Sequence, residues 1–145
     1  MKNKKQWILK KKVLPHHTDY AGVMWHGSYI NFLEEGRIDA LNKVGISYSE
    51  LSLKGYEIPV ISMQINYKLS FMHGETVELR SEFYFSSRIR LNCETLFFKS
   101  NGDIGAKSNV ELVFVSKKNN SMKLVRELPK EIKNTFILLE AGPEE

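Results

Sequence analysis

One stretch limits what this chain can fold into. It runs from His16 to Val44, HHTDYAGVMWHGSYINFLEEGRIDALNKV, and holds the only long helical pattern in the interior of the sequence. Stepping about 100° per residue from Tyr29 puts Leu33, Gly36, Ala40 and Val44 on one arc, with Ile30 and Leu41 at its edge. Asn31, Glu35, Asp39 and Asn42 fall opposite. Such a helix must lay its stripe on another layer. The remainder of the chain supplies one, because from Gly55 the period changes to two. Ile61, Met63, Ile65, Tyr67 and Leu69 alternate with polar residues, and so do Val77, Leu79, Ser81, Phe83 and Phe85. Further strands are predicted over Ile89–Lys99 and Ile104–Ser116, joined by the hairpin turn Asn101-Gly102-Asp103. A short last strand is expected over Met122–Arg126, after a turn from Lys117 to Ser121. A first strand is expected over Trp7–Leu14, ended by Pro15. Hairpin neighbours pair antiparallel. The prediction is an α+β domain: one long helix, a sheet of five or six strands, and a short C-terminal helix over Lys130–Leu139 opened by Pro129. Gly142 to Glu145 reads as a frayed end.

The 145 residues fit one domain, 1–145. Of the 21 basic residues, six lie before Val13 with no acid among them, and the rest of the chain is slightly acidic. A nucleic-acid-binding domain spreads or stripes its charge more widely, so no nucleic-acid partner is expected. The basic tail is either a solvated segment or an attractor for a phosphorylated ligand or an acidic carrier protein. No apolar run is long enough to cross a bilayer, so no membrane partner is expected, and no signal peptide is read at the N-terminus. Cys93 is the single cysteine, which excludes an intramolecular disulfide and makes a reducing cytoplasm the simplest compartment.

A carboxylate loop runs into the helix start. Helix N-termini present unpaired N–H groups and partial positive charge, so Asp19 and those donors can face one reacting carbonyl. The run Asp19-Tyr-Ala-Gly22-Val-Met-Trp25-His26-Gly-Ser-Tyr29, followed by Phe32-Leu-Glu34-Glu-Gly-Arg37, resembles the 4-hydroxybenzoyl-CoA thioesterase-like family of hot-dog-fold acyl-CoA thioesterases. The likeness extends through Pro59–Glu75 to Glu127-Leu-Pro129. It implies a helix wrapped by an antiparallel sheet and a dimer pairing two sheets edge to edge, often assembled into tetramers. It implies active sites between one subunit's helix start and the other's strands. The family's acid corresponds to Asp19, and its oxyanion-donating backbone N–H to His26. His17 stands where the family often has an acidic or aromatic residue, and Tyr20 where it often has a small residue or proline. Trp25-His26 mixes features of the aromatic-acyl and aliphatic-acyl branches.

Within that frame Asp19 either attacks the thioester, giving a mixed anhydride, or activates water as a general base. The competing reading makes it a turn cap beside Gly22. Trp25, Gly22 and Tyr29 are candidates to meet the acyl group. Lys68, Arg88 and Arg90 are candidates for CoA phosphates, or else a solvated strand face. His16, Asp19 and His26 match no metal-ligand spacing, and no metal or cofactor is expected. Ser28 is the expected helix N-cap, and Ser47 with Glu50 the cap of a short second helix. Arg37 falls inside the apolar arc and is expected to pair with Glu34. Phe32 and Ile38 lie off the stripe and suggest a second contact such as another subunit. Glu35, on the polar face, is the rival catalytic acid. The expected substrate is an acyl-CoA or acyl carrier protein thioester. The rival functions are a non-catalytic acyl-CoA-binding regulator and a hot-dog hydratase or dehydratase.

Overall fold

The computed structural model describes residues 5–118 and 121–144. Lys2 and Lys4 of the basic tail, Glu145 of the expected frayed end, and the middle of the turn expected over Lys117–Ser121 lie outside them. The first strand, β1 (Trp7–Lys12), stops before Pro15, which opens a 3-10 turn over Pro15–His17. The long helix α1 (His26–Lys43) comes after the loop. Its predicted stripe is the buried one: Tyr29, Leu33, Gly36, Ala40 and Leu41 all lie inside. Phe32, expected off the stripe, is fully buried as well, because β1 curls round that flank of the helix and Lys11 reaches over the Phe32 ring. Gly45 ends the helix with φ 89. Ser47 then caps α2 (Tyr48–Leu53) by accepting the Glu50 amide at 3.1 Å, as its spacing predicts.

Five strands form one antiparallel sheet under α1, in the order β1-β4-β5-β6-β3, with β3 (Val60–Tyr67), β4 (Thr76–Phe85), β5 (Arg90–Phe98) and β6 (Ile104–Val113). This is the hot-dog arrangement. Alternation puts Val77, Leu79, Ser81 and Phe83 of β4 inward, facing Leu91, Cys93, Thr95 and Phe97 of β5. β3 behaves differently. Met63 and Ile65 are only half-buried, while Val60, Ile61 and Tyr67 are exposed, because β3 is an edge strand and the helix does not extend over it.

The predicted strand Ile104–Ser116 is in fact two. The chain breaks at Phe114 and continues as β7 (Val115–Lys118), which joins a second sheet of order β2-β7-β8. Its other strands are β2 (Tyr56–Glu57), too short to show a period, and β8 (Ser121–Leu124). Phe114 is fully buried, edge-on to Phe136 at 4.9 Å, and that contact seats the C-terminal helix α3 (Lys130–Ala141). Pro129 stands at its N-cap. The Trp7 indole donates to the Leu139 carbonyl at 2.8 Å, so β1 and α3 meet. Gly142 is packed against the Lys5 carbonyl rather than frayed.

Candidate active site

The loop before α1 is tied down on both sides. Asp19 Oδ1 accepts the amides of Ala21 at 2.9 Å and Val23 at 3.4 Å. Between them Gly22 turns the chain at φ 78, a conformation that residues with a Cβ rarely adopt. The Asp19 amide donates to the Val23 carbonyl, which closes the turn. The turn is then bound to the segment between β3 and β4: the Met24 amide donates to Phe71 O at 2.7 Å and the His73 amide to Gly22 O at 3.2 Å. That segment is itself clamped. Glu75 accepts the Met72 amide and pairs with Lys99 at 3.1 Å, and Lys99 also donates to the Ser70 carbonyl. The Met72 amide, more than Lys99, holds the Glu75 carboxyl below its ordinary value.

The helix begins one turn earlier than Ser28 would make it. Trp25 is the N-cap residue, and its amide donates to His17 O at 3.1 Å. Ser28 is not the cap. It is buried in the first turn, where its hydroxyl donates to the same His17 carbonyl at 2.9 Å. The amides of His26 and Gly27 are left at the helix mouth, where no intrahelical acceptor exists. A Cβ at Gly27 would lie 2.3 Å from the Trp25 indole, so glycine lets the ring fold back over the helix start.

Asp19, Met24, Trp25, His26, Tyr29, Tyr67, Lys68, Leu69 and Ser70 line one cavity of about 420 Å³. The fold therefore gathers five of the predicted site residues: Asp19, Trp25, His26, Tyr29 and Lys68. Gly22 shapes the turn behind them. Asp19 is exposed, and its Oδ2 has no hydrogen-bond partner among the described residues. Turn cap and open carboxylate oxygen thus coexist in one side chain. Tyr29 is buried edge-on to Tyr67 at 4.9 Å, and burial pushes its hydroxyl up to about 12, so it stays a neutral phenol. Burial, with His16 adding to it, holds the His17 imidazole below its ordinary value.

Arg88 and Arg90 lie elsewhere. Arg88 lines a different cavity with Phe85, Leu128 and Lys133, and Arg90 pairs with Glu111 at 2.9 Å. Glu35 pairs with Lys11 at 3.2 Å. Glu34 and Arg37 do not pair: Arg37 is buried on the sheet side while Glu34 is exposed. No group of three or more metal-binding side chains occurs among the described residues. No helix there is long and apolar enough to cross a membrane. Sequence reasoning missed Met24, Tyr67, Leu69 and Ser70 as cavity lining, and the Glu75–Lys99 clamp. The clamp spans two turns far apart in the chain, which no local pattern reports.

The site now has a setting among known proteins. The profile of the thioesterase-like superfamily matches residues 13–136. A Synechocystis protein, sll0410, which carries the provisional name of an esterase, is 28% identical over 129 residues, covering 88% of this chain and 76% of its own. A DHNA-CoA thioesterase from Staphylococcus aureus has the same fold, with TM-score 0.81 and 23% identity over 91% of this chain and 89% of its own. The S. aureus protein SAV2348, solved in complex with CoA, superposes with TM-score 0.83 at 13% identity, over 100% of this chain and 90% of its own.

Proposed function

Because the chain belongs to the thioesterase-like superfamily, and is a thioester hydrolase of hot-dog fold, we propose that it cleaves an acyl-CoA to the free acid and CoA at the cavity holding Asp19. The observation that carries this is that Asp19, with a free carboxylate oxygen, and His26, at the start of the helix, line one cleft. A thioester placed there has an attacking group on one side and donors for its developing oxyanion on the other. The amides of His26 and Gly27 are the donors. Asp19 acts in one of two ways. As nucleophile, its carboxylate attacks the carbonyl carbon, the C–S bond breaks, CoA leaves as thiolate and takes a proton, and water opens the mixed anhydride. As general base, it takes the proton of the water that attacks. Tyr29, held neutral, acts only as a hydrogen-bond donor or as packing.

Trp25 is 43% exposed and lies over the helix mouth, which favours an aromatic or bulky acyl group over acetyl. That the S. aureus neighbour acts on DHNA-CoA supports an aromatic acyl group, and the CoA complex of SAV2348 supports CoA as the carrier. Lys68 at the cavity edge offers its ammonium to a CoA phosphate. An acyl carrier protein is the alternative carrier. The working unit is a dimer, with the free edge of β3 paired to a second copy, because Tyr67 to Ser70 lead from that edge into the cavity. The test is steady-state hydrolysis of a panel of aromatic and aliphatic acyl-CoAs, read by thiol release. Turnover of a benzoyl-type thioester well above acetyl-CoA is expected. Binding across the panel without turnover of any member would overturn the reading in favour of a non-catalytic acyl-CoA binder.

A further inference from the structure

The start of α1 hangs from one residue outside the cavity that holds Asp19. His17 O accepts the Trp25 amide at 3.1 Å and the Ser28 hydroxyl at 2.9 Å, one from the N-cap and one from the first turn. The same residue closes the turn that precedes the loop. Its amide donates to Leu14 O at 2.9 Å, and its side-chain Nδ1 accepts the Leu14 amide at 3.0 Å. The Thr18 amide completes the turn on Pro15 O at 3.1 Å. A backbone N–H only donates, so Nδ1 presents a lone pair and the proton of the neutral ring sits on Nε2. An imidazolium carries a proton on both nitrogens. Protonation therefore sets two donors face to face where the Leu14–His17 bond was, and the ring must leave its place.

The neighbours of the ring favour its neutral form. It is half-buried, edge-on to Phe32 at 4.9 Å, with the His16 ring 4.0 Å away. Titratable groups face it from its own turn (His16), from β1 (Lys11) and from α1 (Glu34 and Glu35). Burial weighs most against the cation, and His16 and Lys11 add to it. Glu35, already paired with Lys11, opposes them. The two histidines and the two glutamates border a second cavity, of about 410 Å³, with Trp25 as one wall. Trp25 also borders the Asp19 cavity, so the N-cap side chain stands between the titrating ring and the reaction site. Asp19 is anchored by other bonds, those to Ala21 and Val23 and through them to the segment from Phe71 to His73. Loosening the Leu14–His17 turn thus shifts the helix start against the carboxylate.

We propose that His17 is a positioning residue for the thioesterase site: its neutral imidazole locks the turn whose carbonyl seats the start of α1, and its protonation releases the helix-start donors from register with Asp19. The proposal rests on the reading of Asp19 and the helix start as the reaction site. Wild-type kcat/KM should fall about tenfold per pH unit below a midpoint that lies under the ordinary histidine value of 6.5. His17→Asn keeps an acceptor near the Nδ1 position and does not titrate. It should match wild type at neutral pH and move the fall to lower pH. His17→Ala lacks the acceptor and should lose on the order of tenfold in kcat at every pH. His16→Asn should leave the fall in place. A second measurement needs no turnover. As the His17 imidazole titrates in the wild-type chain, followed by NMR, the protection factor of the Trp25 amide should fall several-fold with the same midpoint. If His17→Asn does not fold, or is inactive at neutral pH, that titration decides alone. A folded, active His17→Asn with the wild-type profile would overturn the proposal, and so would Trp25 protection that stays flat through the His17 titration. Coupled titration in a protein that turns over no thioester would overturn the thioesterase reading and leave the tie between His17 and the helix start standing.

Discussion

Replacing Asp19 by asparagine separates its turn cap from the catalytic role proposed for it. Its Oδ1 accepts the amides of Ala21 and Val23, and a carboxamide oxygen can accept the same pair. The turn should survive, and with it the bonds from Met24 to Phe71 and from Trp25 to His17. What is lost is the negative oxygen that attacks or takes a proton. Loss of a general base typically costs about 10²–10⁴-fold in rate. At roughly 1.4 kcal/mol per tenfold, that is about 3–5 kcal/mol of transition-state stabilisation. Ground-state binding of the thioester should change little, so kcat falls with KM nearly constant. Alanine removes the cap as well, and losing that acceptor adds about 1 kcal/mol of destabilisation. For a domain near 150 residues this lowers Tm by about 2–4 °C. Thiol release gives kcat, and a thermal melt gives Tm. Asparagine should lower only the first, and alanine both. An Asp19→Asn protein that melts like wild type and turns over its best thioester at near wild-type kcat refutes the assignment. Equal losses of Tm in the two variants would refute the division into cap and catalyst.

Glu35→Gln loses only an exposed pair with Lys11, so stability should fall by less than about 1 kcal/mol and kcat should hold. A dead Glu35→Gln enzyme would instead place the catalytic acid on the helix. Gly27→Ala pushes a methyl into the Trp25 indole, which must swing outward. Its kcat/KM should drop more for bulky acyl-CoAs than for acetyl-CoA, and a uniform drop would free Trp25 from any role in acyl choice. Glu75 is depressed in the folded state, so its contribution is complete at neutral pH and lost as pH falls below the ordinary carboxylate value of 4.5. The protection factor of the Met24 amide should fall across that acid range, and Glu75→Gln should remove that fall.

Much of this fold was legible because its signals are periodic and local. The stripe from Tyr29 to Leu41 is what the core needs, and the alternation in β4 and β5 gives the buried face directly. Asp19 was legible as a member of a motif and not as a lone acid, since a turn cap explains its bonds equally well. The misses share a cause. Val113-Phe114-Val115 is apolar throughout, so periodicity cannot show that Phe114 leaves the main sheet to meet Phe136. Three-residue spacing permits a Glu34–Arg37 pair, but the sheet draws Arg37 inward and leaves Glu34 in water. Ser28 has a capping side chain, yet the bound His17 carbonyl starts the helix at Trp25 and turns the serine into a donor. In each case a long-range contact overrides a sound local preference.

The indole bond from Trp7 to Leu139 joins residues 132 positions apart. Closing a loop of that length costs about 2 kcal/mol more chain entropy than closing one of ten residues. The clasp therefore forms after the hairpins have already shortened the path between the two ends. An interaction made that late is absent from the folding nucleus and leaves the rate of folding almost untouched. Its weight falls on the reverse step. The lifetime of the folded chain, more than the speed of its assembly, depends on keeping β1 and α3 tied together.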